Sequence, residues 1–159
     1  MKKLLLTILI FLFTLTLTGC TKQKEFEKDD FKITLTDEFE EKEQEKMTYF
    51  FKSDSIGVAI LKEKFEDLKE INLDENSTLE EFKDIVIRKS KNSKVKKEQD
   101  FYYYTYISTI NNVTYYYFTA MFKGKDGFWL VNFFTLKENA GKLEKEFLKY
   151  AKSVQIKTT

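Results

Sequence analysis

The 159-residue chain has no histidine and a single cysteine, and these two absences remove most catalytic schemes. Without imidazole there is no Ser-His-Asp or Cys-His arrangement. A histidine-containing zinc site is excluded as well, and a thiolate-only site needs more than one cysteine. One cysteine cannot form an internal disulfide, so stability must come from packing. Glycine is scarce: the five present are scattered, and no glycine-rich phosphate loop can be assembled from them. Charge of one predominant sign is lacking too. The 27 basic and 26 acidic side chains are interleaved, without the concentrated basic stripe of a nucleic-acid-binding protein. Carboxylate pairs do occur at Asp29-Asp30, Glu40-Glu41 and Glu80-Glu81. They could serve glycoside hydrolysis or calcium binding, but they sit among lysines without the spacing of a calcium loop and read as solvated surface.

What the chain does have begins at its amino end. Lys2 and Lys3 precede an apolar run from Leu4 to Leu17, the layout of an export signal. The run falls well short of the about 20 residues a membrane-spanning helix needs. It closes on Leu17-Thr18-Gly19-Cys20. This stretch resembles the signal of bacterial lipoproteins, in which an aliphatic residue, a small residue and Gly or Ala precede the cysteine. The resemblance implies that Leu17, Thr18 and Gly19 are read by the processing machinery and that residues 1–19 are removed. It implies that Cys20 receives diacylglycerol, and an N-acyl chain can follow. Such an anchor holds a protein to the membrane without spanning it, because each buried methylene contributes about 0.8 kcal/mol and two or three chains suffice. The implied location is the extracytoplasmic side of a bacterial cell membrane, with no cofactor beyond the lipid. A plain secretory signal and a short membrane anchor are the alternatives.

The remaining chain fits one domain with a real core. Residues 20–30 are polar and read as a solvated tether of about 10 residues, leaving 31–159 as the domain. Phe31–Thr36 alternates apolar and polar with period two, as does a half-buried strand. Residues 47–51 and 56–61 form two more strands, joined by Ser53-Asp54-Ser55 as a hairpin. Residues 65–76, with Phe65, Leu68 and Ile71 at three-residue spacing among many charges, read as a loop with room for one helical turn. Ser77-Thr78-Leu79-Glu80 matches a capping box, and Leu79, Phe82, Ile85 and Val86 then fall on one face of a helix over 78–91. Three long strands follow at 101–110, 114–123 and 128–136, rich in aromatic and β-branched residues. Their links, Asn111-Asn112-Val113 and Gly124–Gly127, are turn sequences, so the simplest arrangement is an antiparallel meander. Both faces of that sheet carry apolar residues and should be covered at least in part. Ala140, Leu143, Phe147, Tyr150, Ala151 and Val154 recur at helical spacing and predict an amphipathic helix over 139–153 packed on the sheet.

The order βββαβββα, with about six strands, makes this an α+β chain with an antiparallel sheet flanked by two helices. Phe31–Thr36, the turn Asp37-Glu38-Phe39, the aromatic strand at Phe128-Trp129-Leu130 and the closing helix ending at Tyr150–Val154 together resemble the Mog1/PsbP-like (DcrB-like) fold. That resemblance implies an α/β/α sandwich. It is found in extrinsic photosystem proteins, a nuclear-transport cofactor and envelope lipoproteins of unassigned role, so it carries no activity by itself.

The aromatic residues are the remaining candidates for recognition. Tyr102, Tyr104 and Tyr106 share one face of their strand. Tyr115 and Tyr117 could lie beside them, with Trp129 nearby if the register allows. Such a ladder can stack on sugars or dock an apolar protein surface; it can equally be cross-strand packing that stabilises the sheet. The expectation is a non-enzymatic, lipid-anchored envelope protein that binds a protein partner as an accessory or assembly factor. A receptor for a small molecule, sugar or lipid is the alternative, and a carboxylate-dependent hydrolase stands third.

Overall fold

The computed structural model describes residues 21–89 and 94–157. In chain order it contains β1 (Gln23–Glu27), β2 (Phe31–Thr36), β3 (Glu40–Glu41), β4 (Tyr49–Lys52) and β5 (Gly57–Lys64). Helix α1 (Phe65–Leu68) runs into a 3-10 turn at Lys69–Ile71 and is followed by α2 (Leu79–Lys89). The second half contains β6 (Lys96–Lys97), β7 (Tyr102–Ile110), β8 (Val113–Lys123) and β9 (Gly127–Leu136). A 3-10 turn at Lys137–Asn139 then leads into α3 (Ala140–Lys152), and β10 (Gln155–Ile156) closes the described chain.

The strands form a seven-stranded sheet, β3-β4-β5-β9-β8-β7-β6, and a three-stranded sheet, β1-β2-β10. Every pairing is antiparallel. The fold is therefore α+β and follows the βββαβββα order in its long elements. The strands beyond the expected six are β3 and β6 at the edges of the large sheet and β1 and β10, which flank the expected β2 in the small sheet.

Alternation along the strands gives the large sheet two apolar faces. Its inner face buries Phe51, Val58, Ile60, Phe118, Trp129, Val131 and Phe133, covered by Phe31, Ile33 and Leu35 of β2 and by Phe147, Tyr150 and Ala151 of α3. Phe31 stacks on Trp129 with ring centroids 5.3 Å apart, and Phe133 stacks on Phe147 at 5.6 Å. Lys62 of β5 clasps this layer at one end. Its ammonium contacts Asp30 in the β1–β2 turn and Asp126 in the β8–β9 turn, and lies 5.1 Å from the centre of the Trp129 ring. Burial opposes its charge, but the hydrogen bonds to the two aspartates outweigh that and hold its pKa above the ordinary lysine value.

Two sequence expectations are corrected here. The tether expected over 20–30 is folded from Gln23, because Phe26 inserts against Phe51 at 4.6 Å while its neighbours face solvent. Pairing with β1 also satisfies the backbone groups on the outer edge of β2. The cap of α2 is Thr78, one residue later than expected. The Thr78 N–H donates to the Glu81 carboxylate at 2.6 Å, and the Glu81 N–H donates back to the Thr78 hydroxyl at 3.2 Å. Ser77 instead accepts from the Asp74 N–H. Both Ser77–Glu80 and Thr78–Glu81 fit the box pattern and the second is the one formed; on the apolar face of the helix Phe82 stacks on Phe128, 4.3 Å away and nearly parallel. Residues 65–76 hold one α turn and one 3-10 turn, and Phe65 meets Phe128 edge-on at 5.3 Å.

Candidate functional site: an aromatic shelf and cleft on the outer face

The hairpin register decides which aromatics meet. Asn111 and Asn112 both have positive φ, 50° and 65°, so they form a two-residue turn that pairs Ile110 with Val113. Tyr106 is thereby placed opposite Tyr117, and Tyr117 opposite Phe134 on β9. Tyr102, Tyr104, Tyr106, Tyr115 and Tyr117 all lie on the outer face. Trp129 does not: it pairs with Phe122 and Lys62, sits on the inner face and is fully buried. Its indole N–H has no acceptor among the described residues and lies 2.7 Å from where a Cβ on Gly124 would stand. Trp129 is a core residue and is removed from the candidate site.

Helices α1 and α2 cover only part of the outer face. Beneath them Tyr102 is buried between the ammonium groups of Lys83 and Lys97, 5.1 and 5.2 Å from its ring centre. Tyr104 is buried as well. Beyond the helices Tyr106, Tyr115 and Tyr117 are half-buried, as are Phe50 and Phe134. The rings are continuous: Tyr104 to Tyr106 at 5.7 Å, Tyr106 to Tyr117 at 4.7 Å, Tyr117 to Phe134 at 5.7 Å and Phe134 to Phe50 at 6.2 Å. Tyr115 contacts both Tyr117 and Phe134. Gly57 makes room for this shelf, since a Cβ there would stand 2.1 Å from Phe134 Cζ. Sequence reasoning missed Phe50, Phe134 and Gly57. The signal was a glycine inside an otherwise apolar strand, which marks a close approach without naming what approaches.

Between α1, α2 and the shelf lies a cleft of about 420 Å³. Leu68, Ile71, Phe82, Ile85, Val86 and Leu130 supply its apolar walls, Tyr104 and Tyr106 its aromatic floor, and Glu63 its only charged side chain. Burial, then the neighbouring Tyr104 and Tyr117, push the Tyr106 hydroxyl up to about 12 against an opposing hydrogen bond to Thr119. Burial and Tyr115 raise the Tyr117 hydroxyl likewise. Both hydroxyls therefore stay neutral at physiological pH, suited to stacking and hydrogen bonding.

The carboxylate pairs do not converge. Asp30 contacts Lys62, Glu41 pairs with Lys28 at 2.8 Å, Glu40 with Lys42 at 2.6 Å, Glu80 with Lys83 at 3.3 Å, and Glu81 caps α2. Among the described residues no group of three or more Asp, Glu or Cys could hold a metal ion, and no helix is long and apolar enough to cross a membrane. Leu17, Thr18, Gly19 and Cys20 lie outside the described residues.

No protein-family model matches the sequence, and no curated protein matches it. Solved structures do match the fold. The solution structure of cyanobacterial PsbP (CyanoP) from Synechocystis sp. PCC 6803 superposes with a TM-score of 0.56 at 10% identity, over 87% of this chain and 95% of that one. A crystal structure from Bacteroides thetaiotaomicron VPI-5482 gives 0.57 at 11% identity, over 84% of this chain and 48% of the other, so this chain spans about half its length. At such identities the likeness is one of architecture, and the architecture is PsbP-like.

Proposed function

We propose that this protein is a lipid-anchored, non-enzymatic accessory or assembly factor of a bacterial envelope, and that it docks a protein partner on the aromatic shelf of its outer face. The observation that carries the reading is the half-covered shelf itself. Phe50, Tyr106, Tyr115, Tyr117 and Phe134 form one continuous aromatic surface whose rings are each only half-buried. Large rigid rings with polar tips are the side chains that dominate protein interfaces. The absence of histidine and the separately engaged carboxylates support the non-enzymatic part. Anchoring rests on Leu17-Thr18-Gly19-Cys20 and makes diacylglycerol, with an optional N-acyl chain, the only attached group.

Photo-crosslinking residues placed at Tyr115 or Tyr117 should give one discrete adduct in intact membranes, and the same residue at exposed Lys125, in the β8–β9 turn at the far end of the sheet, should not. Adducts equally frequent at all three positions would sink the docking reading. Cys20→Ser should abolish lipid labelling and leave precursor or shed protein; a variant that stayed membrane-bound at unchanged mass would refute anchoring. The cleft supports a second reading, a receptor for a small apolar ligand lying over Tyr104 and Tyr106. An Ile85→Trp substitution, which fills the cleft, should abolish such binding and leave partner docking intact.

A further inference from the structure

We infer that the β7–β8 hairpin tip contacts the lipid surface itself, as a second point of attachment beside the anchored amino end. The inference rests on the anchoring proposed above. Five large apolar side chains are exposed among the described residues, and four of them cluster here: Ile107 at 54%, Ile110 at 50%, Val113 at 39% and Leu136 at 40%. Leu136 joins the hairpin by pairing with Tyr115. In a chain that is 33% charged, residues 101–122 contain no Asp, Glu, Lys or Arg. An exposed tip with isoleucine and valine at its end, neutral asparagines in its turn and tyrosines behind it matches the layering of a bilayer interface. Apolar groups enter the acyl boundary, and tyrosine rings sit at headgroup level.

The way the chain enters the domain selects lipid as the occupant. Lys22 and Asp37 are paired through their backbones at 2.8 Å, and Gln23 stands opposite Thr36. Three residues later Glu40 pairs with Lys52, whose row continues through Gly57, Phe134 and Tyr117 to Tyr106. β3 runs away from Glu40, so the residues before it lie at the same end of the sheet from which the hairpin projects. Cys20 is three residues from Gln23, a reach of about 10 Å at full extension. β3 and β8 are four strand spacings apart, which separates the two contacts by about 20 Å across that end. An acylated Cys20 would thus hold the hairpin tip at the headgroups, where even a weak contact is raised by its high local concentration.

The test uses the acylated full-length protein reconstituted in phosphatidylcholine/phosphatidylglycerol vesicles free of other protein. Acylation occupies the Cys20 thiol, so Val113→Cys, or Lys125→Cys at the opposite end, supplies a single site for an environment-sensitive fluorophore. Lipids carrying a quencher in their acyl chains should quench the label at Val113 several-fold more than at Lys125. The difference should persist in high salt and at any phosphatidylglycerol fraction, because the hairpin itself is uncharged and Lys137 and Glu138 beside it carry opposite charges that offset each other. Equal quenching at the two sites, or quenching lost in salt, overturns the inference. A tip reserved for a protein partner would give the same negative result in these vesicles. Mass analysis of Cys20 reports the anchor separately: acylated protein with an unquenched tip refutes only this inference. A Cys20 found free refutes the anchoring reading, and the tip must then quench in protein added to vesicles from solution.

Discussion

At the scale of single residues the site depends on Gly57 as much as on any ring. Phe134 lies over it so closely that a Cβ would meet Cζ at 2.1 Å, and Phe134 is the ring that joins Phe50 to Tyr117. Gly57→Ala should therefore cost about 1–3 kcal/mol, as overpacking does, measured by denaturant unfolding. Adding Phe134→Leu should recover part of that loss, because the two positions share one contact. Additive losses would mean that the ring is not held by the missing Cβ. Along the sequence only the glycine shows; its partner does not, because Gly57 and Phe134 lie in different halves of the chain and only the β5–β9 pairing brings them together.

At the scale of elements, periodicity revealed what was long and failed where a segment was short or charged. α2, α3 and the three aromatic strands carry enough repeats for their apolar spacing to stand out. β3 and β6 are two residues each, too short for any repeat. β1 shows one apolar residue among charges, since only Phe26 faces inward; an edge strand keeps its charges for the solvent side. Phe26→Ser should release β1 while the large sheet survives. Cleavage by trypsin at Lys24 and Lys28 should accelerate several-fold, with a global loss below the about 3–5 kcal/mol of a fully enclosed phenylalanine. A variant with unchanged cleavage would show that β1 is held by its backbone pairing alone.

For the whole molecule, sheet parity decided the fate of Trp129. The residue content of the meander was readable, but which face each side chain takes depends on the turns. A one-residue slip at Gly124–Gly127 would have put Trp129 on the shelf. Dense aromatic packing also sets an alkaline limit. Burial raises the Tyr106 and Tyr116 hydroxyls from 10.0 to about 12. Above pH 10 the unfolded chain loses those protons before the folded one does. Stability should be unaffected by these groups below pH 10 and should fall as pH rises from 10 to 12. Unfolding midpoints across that range, with Tyr106→Phe flattening the decline, provide the check. The small sheet has a consequence for timing. β2 is bordered by β1 on one side and by β10, the last described strand, on the other. Phe31, which covers Trp129, is itself paired with Ile156. A chain emerging amino end first cannot close this layer until residues 155–156 have emerged, so β2, made early, waits on the last described strand for its second border.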